Sequence, residues 1–233
     1  MTVVRTKGLL FDMDGTLVDS TPGVIEAWKN FSTKYGFDAE EVTNATHGAR
    51  LVDTLKLYCH ITDETELNSE VRRFEDEVLE ATRRGQGVAV LPGVLELLRT
   101  VTSVQRVSGS PHWVIVTSAT SGYAPAALQA AGVPMPEALI TADRVTKGKP
   151  HPEPYLAGAA ACSLDPKECI VVEDAPNGIR SAQAAGSRVL AVCTSHTREA
   201  LEPSKPDWIV TDLTRVKATW DGSVVELTID ETP

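Results

Sequence analysis

Three short apolar runs along this chain each stop abruptly at polar residues. They are Leu9-Leu10-Phe11 before Asp12, Val114-Ile115-Val116 before Thr117-Ser118, and Ile170-Val171-Val172 before Glu173-Asp174. Continuous apolar runs of this length, bounded by turn residues, predict strands buried on both faces. Ala138-Leu139-Ile140, Val189-Leu190-Ala191-Val192 and Trp208-Ile209-Val210 fit the same sheet. Between the runs the apolar spacing becomes helical. Val94, Leu95, Leu97, Leu98 and Val101 follow Pro92-Gly93, Ala124 to Ala131 stops at Gly132, Pro154 to Ala161 is alanine-rich, and Ile179 to Ala185 stops at Gly186 in a C-cap position. Strands alternating with helices predict right-handed βαβ units and a parallel sheet, an α/β fold. Ligands of such sheets bind at the carboxyl ends of the strands, which brings residues as far apart as Asp12 and Asp174 into one crevice.

The alternation breaks between about Val18 and about Val90. Ser20-Thr21-Pro22 predicts a helix start, after which Val24, Trp28, Phe31 and Tyr35 recur at helical spacing until Gly36. Leu51, Leu55 and Tyr58 predict a second helix, and Leu67, Val71, Phe74, Val78 and Ala81 a third, closed by Arg83-Arg84-Gly85. Trp28, Phe31 and Phe74 read as the core of this all-helical insert. The predicted organisation is therefore an α/β core from residues 1–17 and 91–233, with a helical cap at 18–90 and hinges near Val18-Asp19-Ser20 and Gly85-Gln86-Gly87. Near the C-terminus, Trp220-Asp221-Gly222-Ser223 followed by Val224-Val225-Glu226-Leu227 predicts a hairpin with an Asp-Gly turn.

Composition narrows what such a fold can do. With 233 residues, a core forms without disulfides or structural metal. The scattered Cys59, Cys162, Cys169 and Cys193 show no metal-ligand spacing, and Cys162, Cys169 and Cys193 read as small core residues. A net charge of −10 argues against partners such as nucleic acid or an anionic membrane, which require excess Lys and Arg, yet leaves room for a small anionic metabolite met by a few local cations. No signal peptide or membrane span is visible in the sequence, so a cytoplasmic setting is expected, as a monomer or small homo-oligomer.

Candidate chemistry gathers at the strand ends. In Asp12-Met13-Asp14-Gly15-Thr16, positions i and i+2 project to the same side, so two carboxylates face one spot while Gly15 turns the chain away. The plain alternative is a strand ending in a solvated Asp-Gly turn. The functional reading makes one carboxylate a nucleophile and the other a proton donor and acceptor. Glu173-Asp174 adds oxygen ligands, and hard carboxylate oxygens without His or Cys favour Mg²⁺ over zinc. These parts suit phosphoryl transfer, where a divalent ion offsets the repulsion between a carboxylate and a phosphate dianion. Hydroxyl and amide donors from Thr117-Ser118 would hold phosphoryl oxygens. Lys149, between Gly148 and Pro150 in a proline-stiffened loop that also reads as a simple surface turn, would supply the fixed cation.

Taken together, Asp12-x-Asp14-Gly15-Thr16, Thr117 after a strand, Lys149-Pro150 and Glu173-Asp174 resemble, in order and spacing, the four motifs of the haloacid dehalogenase superfamily over nearly the whole chain. The insert looks like the cap of the subfamily containing β-phosphoglucomutase and many sugar-phosphate phosphatases. That resemblance implies a Rossmann-like core and a phospho-aspartyl intermediate, with Asp12 as nucleophile and Asp14 as general acid and base. It implies Mg²⁺ on Asp12, the Asp14 main-chain carbonyl and Asp174, with Glu173 direct or through water, and Thr117 and Lys149 on the transferring phosphoryl group. His47-Gly48-Ala49-Arg50, the run Gly148 to Tyr155 and the run Glu173 to Ile179 look like the fungal glycerol-3-phosphatases and 2-deoxyglucose-6-phosphate phosphatases. Ala119 stands where these relatives usually have Gly and Val172 where they often have Phe; neither change removes a functional group.

Two sites stay open at this level. His47 and Arg50 read either as a helix-start turn with a capping His and a solvated Arg, or with Arg50 in the cap–core crevice on substrate phosphate or hydroxyls. Asn177 reads as a helix-start residue. The expectation is thus a Mg²⁺-dependent phosphatase of a small polyol or sugar phosphate, with a hexose phosphomutase as the rival. A scaffold that lost catalysis would show a decayed motif, and none is seen. A dinucleotide-binding dehydrogenase would need a glycine-rich loop that follows no strand here.

Overall fold

The structure is a computed structural model and describes residues 1–46, 48–102, 111–221 and 223–232. Along the chain run β1 (Thr2–Thr6), β2 (Gly8–Phe11), β3 (Val18–Asp19), α1 (Thr21–Tyr35), α2 (Ala39–Thr46), α3 (Leu51–Tyr58), α4 (Glu64–Arg83), β4 (Ala89–Val90), α5 (Val94–Thr102), β5 (Trp113–Val116), α6 (Ala124–Ala130) and β6 (Leu139–Ile140). They continue as α7 (Glu153–Ala161), β7 (Cys169–Glu173), α8 (Pro176–Ala185), β8 (Arg188–Val192), α9 (Arg198–Leu201), β9 (Trp208–Val210), β10 (Val216–Trp220) and β11 (Val225–Ile229).

The main sheet has the order β6-β5-β2-β7-β8-β9 with every neighbouring pair parallel. Its strands read as unbroken apolar runs because helices cover both faces. Alternate residues part cleanly: Leu9, Phe11, Ile115, Val172 and Leu190 join one core, while Leu10, Val114, Val116, Val171 and Val189 join the other beneath Tyr155, Ala159 and Ile179. This period of two follows from the pleat. β2, β5 and β7 lie side by side, so Asp12, Thr117 and Glu173-Asp174 emerge at adjacent strand ends, as the sequence pattern predicts.

The helical cap α1–α4 is held by its own aromatic core. Trp28 and Phe74 lie 4.4 Å apart between ring centroids, and Phe31 and Phe74 5.3 Å apart. A short antiparallel ladder closes its base, with Val18 opposite Val90 and Asp19 opposite Ala89. This ladder occupies the stretch where the sequence predicts the first hinge, so the two connections are paired to each other at that point.

Two elements differ from the sequence expectation. α2 is an additional cap helix; it carries Glu40, Glu41 and Thr43, and Val42 alone of its described side chains is fully buried, so no apolar stripe announces it. The predicted C-terminal hairpin is present as β10–β11, with Gly222 outside the described residues, but β1 adds a third antiparallel strand to it. Only one position in β1, Thr6, is fully buried, which explains its weak signature. Among the described residues, no helix is long and apolar enough to cross a membrane.

Candidate active site

The first loop is built by the strand before it. Asp12 still donates its backbone N–H to Val172, so it continues the β2–β7 ladder, while Met13 points into the core. Gly15 then adopts φ +88°, a left-handed conformation that suits glycine, and the chain turns back so that Asp14 pairs with Val18. Both Asp12 and Asp14 line one cavity.

Lys149 reaches this loop from the far side of the crevice, with its side chain only 1% exposed. Its Nζ lies 2.5 Å from Asp12 Oδ1 and 2.7 Å from Glu173 Oε1. Burial alone would lower the ammonium's pKa, but the carboxylates of Asp12 and Glu173 outweigh it and raise the pKa above its usual value. Asp12 is raised well above the carboxylate range, chiefly by burial, with Lys149 pulling it down and Glu173 and Asp174 pushing it up. Glu173 is saturated. Oε1 accepts from Lys149 and from the Tyr155 hydroxyl at 2.8 Å, and Oε2 accepts from the backbone N–H of Asp174 and Ala175, each at 3.0 Å. A side chain at Gly178 would collide with this carboxylate, which explains the glycine in the first turn of α8. Asp174 is fixed by hydroxyls, with Thr16 donating to Oδ1 at 3.1 Å and Ser195 to Oδ2.

The carboxylate oxygens of Asp12, Glu173 and Asp174 lie within 4.8 Å of one another. When all three are ionised, Lys149 balances only one of their charges. A hard dication would neutralise the rest, so the residues present fit a magnesium-like ion in both donor chemistry and charge. Since Glu173 already takes four donors, Asp12 and Asp174 are the carboxylates with capacity to ligate.

The other sequence candidates fall in different places. Thr117 donates its N–H to Ile140, and its hydroxyl oxygen accepts from Ala119 N–H at 3.0 Å, so the hydroxyl proton remains for a ligand in the cavity it lines. Ser118 lines the same cavity and donates its hydroxyl across it to the Gly48 carbonyl of the cap at 2.9 Å. Arg50 grips Asp53 with two bonds of 2.8 and 3.1 Å and donates to the Thr146 carbonyl at 3.1 Å. Its stem packs so closely on Gly148 that an added Cβ would lie 2.6 Å from it. Arg50 thus clamps the cap to the loop that carries Lys149, and the structure does not bring it to the cavity wall. Glu153 holds the same loop by accepting from Thr146 and Lys147 N–H at 2.6 and 3.0 Å. His47 lies outside the described residues. Asn177 stands in the first turn of α8, where it accepts from Arg180.

Sequence reading missed Glu75, Thr120, Tyr155 and Ser195. Glu75 projects from α4 into the cavity, which measures about 120 Å³ and is also lined by Trp28, Phe74, Thr117 and Tyr123. Burial lifts its carboxyl to about 7 against the pull of two hydrogen bonds from Thr120, with Asp14 and Asp143 pushing the same way as burial. One signal was present. Glu75 sits four residues after Val71 and three before Val78, which places a carboxylate on the apolar stripe of its helix. Tyr155 gave none, since a buried tyrosine and a core phenylalanine share one pattern.

The model of the haloacid dehalogenase-like hydrolases matches residues 6–186. Hexitol phosphatase A of Escherichia coli is 43% identical over 81% of this chain and 84% of its own length. Two Saccharomyces cerevisiae proteins also match. Glycerol-1-phosphate phosphohydrolase 1 is 32% identical over 89% of this chain and 82% of its own length, and 2-deoxyglucose-6-phosphate phosphatase 1 is 30% identical over 94% of each.

Proposed function

This chain belongs to the haloacid dehalogenase-like hydrolases, and on that premise we propose that it hydrolyses the phosphate monoester of a small polyol or sugar through a phospho-aspartyl intermediate on Asp12, with Mg²⁺ as its metal. The observation that carries the reading is the pairing of Asp12 with buried Lys149 at the mouth of a cavity that Asp14 and Thr117 also line. Asp12, the Asp14 main-chain carbonyl and Asp174 would hold the metal, and Glu173, its oxygens filled by four donors, would anchor Lys149 beside it. Bound there, the ion would supply positive charge against the phosphoryl oxygens and the carboxylate that attacks them.

The chain's own groups account for the rest. Lys149 engages Asp12 Oδ1, which orients the carboxylate and leaves Oδ2 to form the bond to phosphorus. The bond from phosphorus to the ester oxygen breaks, and Asp14 gives that oxygen its proton. Asp14, now ionised, takes a proton from the water that attacks the aspartyl phosphate, and inorganic phosphate leaves with Asp12 restored. Thr117 donates its hydroxyl to a phosphoryl oxygen throughout. Cap closure keeps other water away, and Ser118 on Gly48 and Arg50 on Thr146 hold the cap in that position.

The test is a phosphate-release screen with Mg²⁺ over hexitol phosphates, glycerol phosphates, 2-deoxyglucose 6-phosphate, hexose phosphates and nucleotides, run beside Asp12→Asn. The expected result is release from polyol or sugar monoesters, abolished by Asp12→Asn in a folded protein. An isomeric hexose phosphate formed without free phosphate would make the enzyme a mutase and overturn the reading.

A further inference from the structure

We propose that Glu75 selects a neutral, hydroxyl-bearing leaving group and rejects one that carries a second anionic group. The inference rests on the phosphatase reading of the same cavity and names the chemistry of the substrate's far end.

Glu75 reaches the cavity from the cap, opposite the strand ends, and its position is fixed. Thr120, in the core loop after β5, donates its N–H to one carboxylate oxygen at 3.1 Å and its hydroxyl to the other at 2.6 Å. Each oxygen of a carboxylate accepts more than one bond, so both keep capacity toward a ligand. The cap threonine hydroxyls on the cavity wall have the same polarity. Thr43 spends its proton on the Ala39 carbonyl at 2.7 Å, Thr46 on Val42 at 2.6 Å and Thr54 on Arg50 at 3.4 Å. Their oxygens can only accept. Trp28 and Phe74 supply apolar surface between them.

Among the described cap residues lining the cavity, Glu75 alone is charged and none is Lys, Arg or His. The two sides are therefore complementary to a bipolar molecule. The core side offers donors and the lysine charge to the phosphoryl group, and the cap side offers acceptors and a negative charge. A leaving group with hydroxyl protons satisfies those acceptors. A carboxylate or second phosphate brings no donor, meets like charge in a partly dry site, and leaves the remaining acceptor capacity of Glu75 and the threonines unmet. The same argument works against a hexose bisphosphate held with its far phosphate under the cap.

Two substrate pairs isolate this effect, because each differs only by carboxylate in place of CH₂OH: glycerol 1-phosphate against 3-phosphoglycerate, and sorbitol 6-phosphate against 6-phosphogluconate. For the full chain with Mg²⁺ at about pH 8.5, where the Glu75 carboxyl is ionised, the expected result is a kcat/KM at least about 30-fold higher for the neutral member of the pair it turns over. Glu75→Gln should shrink that preference to within about threefold, by loss on the neutral member and gain on the acid. Glu75→Asp, which keeps the charge, should retain a preference above tenfold. Equal turnover of acid and neutral members by the wild type, or an unchanged ratio in Glu75→Gln, would overturn the role of Glu75 while leaving the phosphatase reading intact. No phosphate from any of the four or from other sugar phosphates would take down that reading and this one with it. The wild-type ratio and Glu75→Asp carry the test if the Gln variant does not fold.

Discussion

Tyr155 and Lys149 meet on a single atom: the tyrosine hydroxyl donates to Glu173 Oε1 at 2.8 Å, and the lysine Nζ lies 2.7 Å from that same oxygen and 5.0 Å from the centre of the tyrosine ring. Burial raises the phenol's pKa well above its ordinary value, and Glu173 and Asp12 add to the effect, so the hydroxyl keeps the proton that it donates to Glu173. A relay runs from the α7 core through Glu173 and Lys149 to Asp12.

Tyr155→Phe keeps the ring and deletes the donor. The expected outcome is a fall in kcat of roughly 5- to 20-fold with KM within about twofold, and a stability loss of about 1–2 kcal/mol. Steady-state kinetics and thermal unfolding measure both. An unaltered kcat would show that Lys149 is positioned without the tyrosine.

Lys149→Met leaves the carboxylates of Asp12, Glu173 and Asp174 buried with no compensating cation. Breaking a buried pair in this way costs about 3–5 kcal/mol. The variant should lose turnover by at least about 1,000-fold, unfold at a clearly lower temperature in EDTA, and recover part of that loss when Mg²⁺ is added. A melting temperature equal to wild type and indifferent to Mg²⁺ would contradict both the charge balance and the metal site.

For Arg50→Ala, the contacts to Asp53 and Thr146 predict a loss shared by all substrates. A reduction of about 3- to 10-fold in kcat/KM is expected both for the best polyol phosphate and for p-nitrophenyl phosphate, because the loop that carries Lys149 loosens. A loss confined to the polyol phosphate would place Arg50 on the substrate instead.

Glu75 makes stability depend on pH with a definite sign. Its folded pKa of about 7 stands above the ordinary 4.5, so the folded state keeps a proton that the unfolded chain releases. The associated stability is fully present below pH 4.5 and is lost as pH rises through about 7, at a cost of at most about 3 kcal/mol. Glu75→Gln removes that dependence. Relative to wild type, its melting temperature should rise by several degrees between pH 4.5 and pH 7.5; a difference constant across that range would show that Glu75 titrates normally.

The main sheet was legible because its strands are buried on both faces. A strand in that setting must be apolar throughout, and Leu9 to Phe11, Val114 to Val116 and Ile170 to Val172 show it without tertiary information. Asp12, Asp14, Thr117, Glu173 and Asp174 followed, since a polar residue directly after such a strand is placed at the sheet's carboxyl edge by the backbone itself. β1 and α2 stayed hidden because, among the described side chains, each buries one fully, Thr6 and Val42, and no periodic pattern results.

What the sequence determined by itself, then, is whatever depends on period and on local backbone: the parallel sheet, the inserted helices, and the acidic residues at the strand ends. Which donor meets which acceptor was decided by tertiary structure alone. Glu173 is the anchor of Lys149 because Tyr155, Asp174 N–H and Ala175 N–H converge on it, and Ser118 and Arg50 serve the cap because Gly48 and Thr146 stand opposite them. The physical reason is range. Apolar burial is nondirectional and leaves its mark on every third or fourth position, whereas a hydrogen bond depends on tenths of an ångström between residues that only the folded chain brings together.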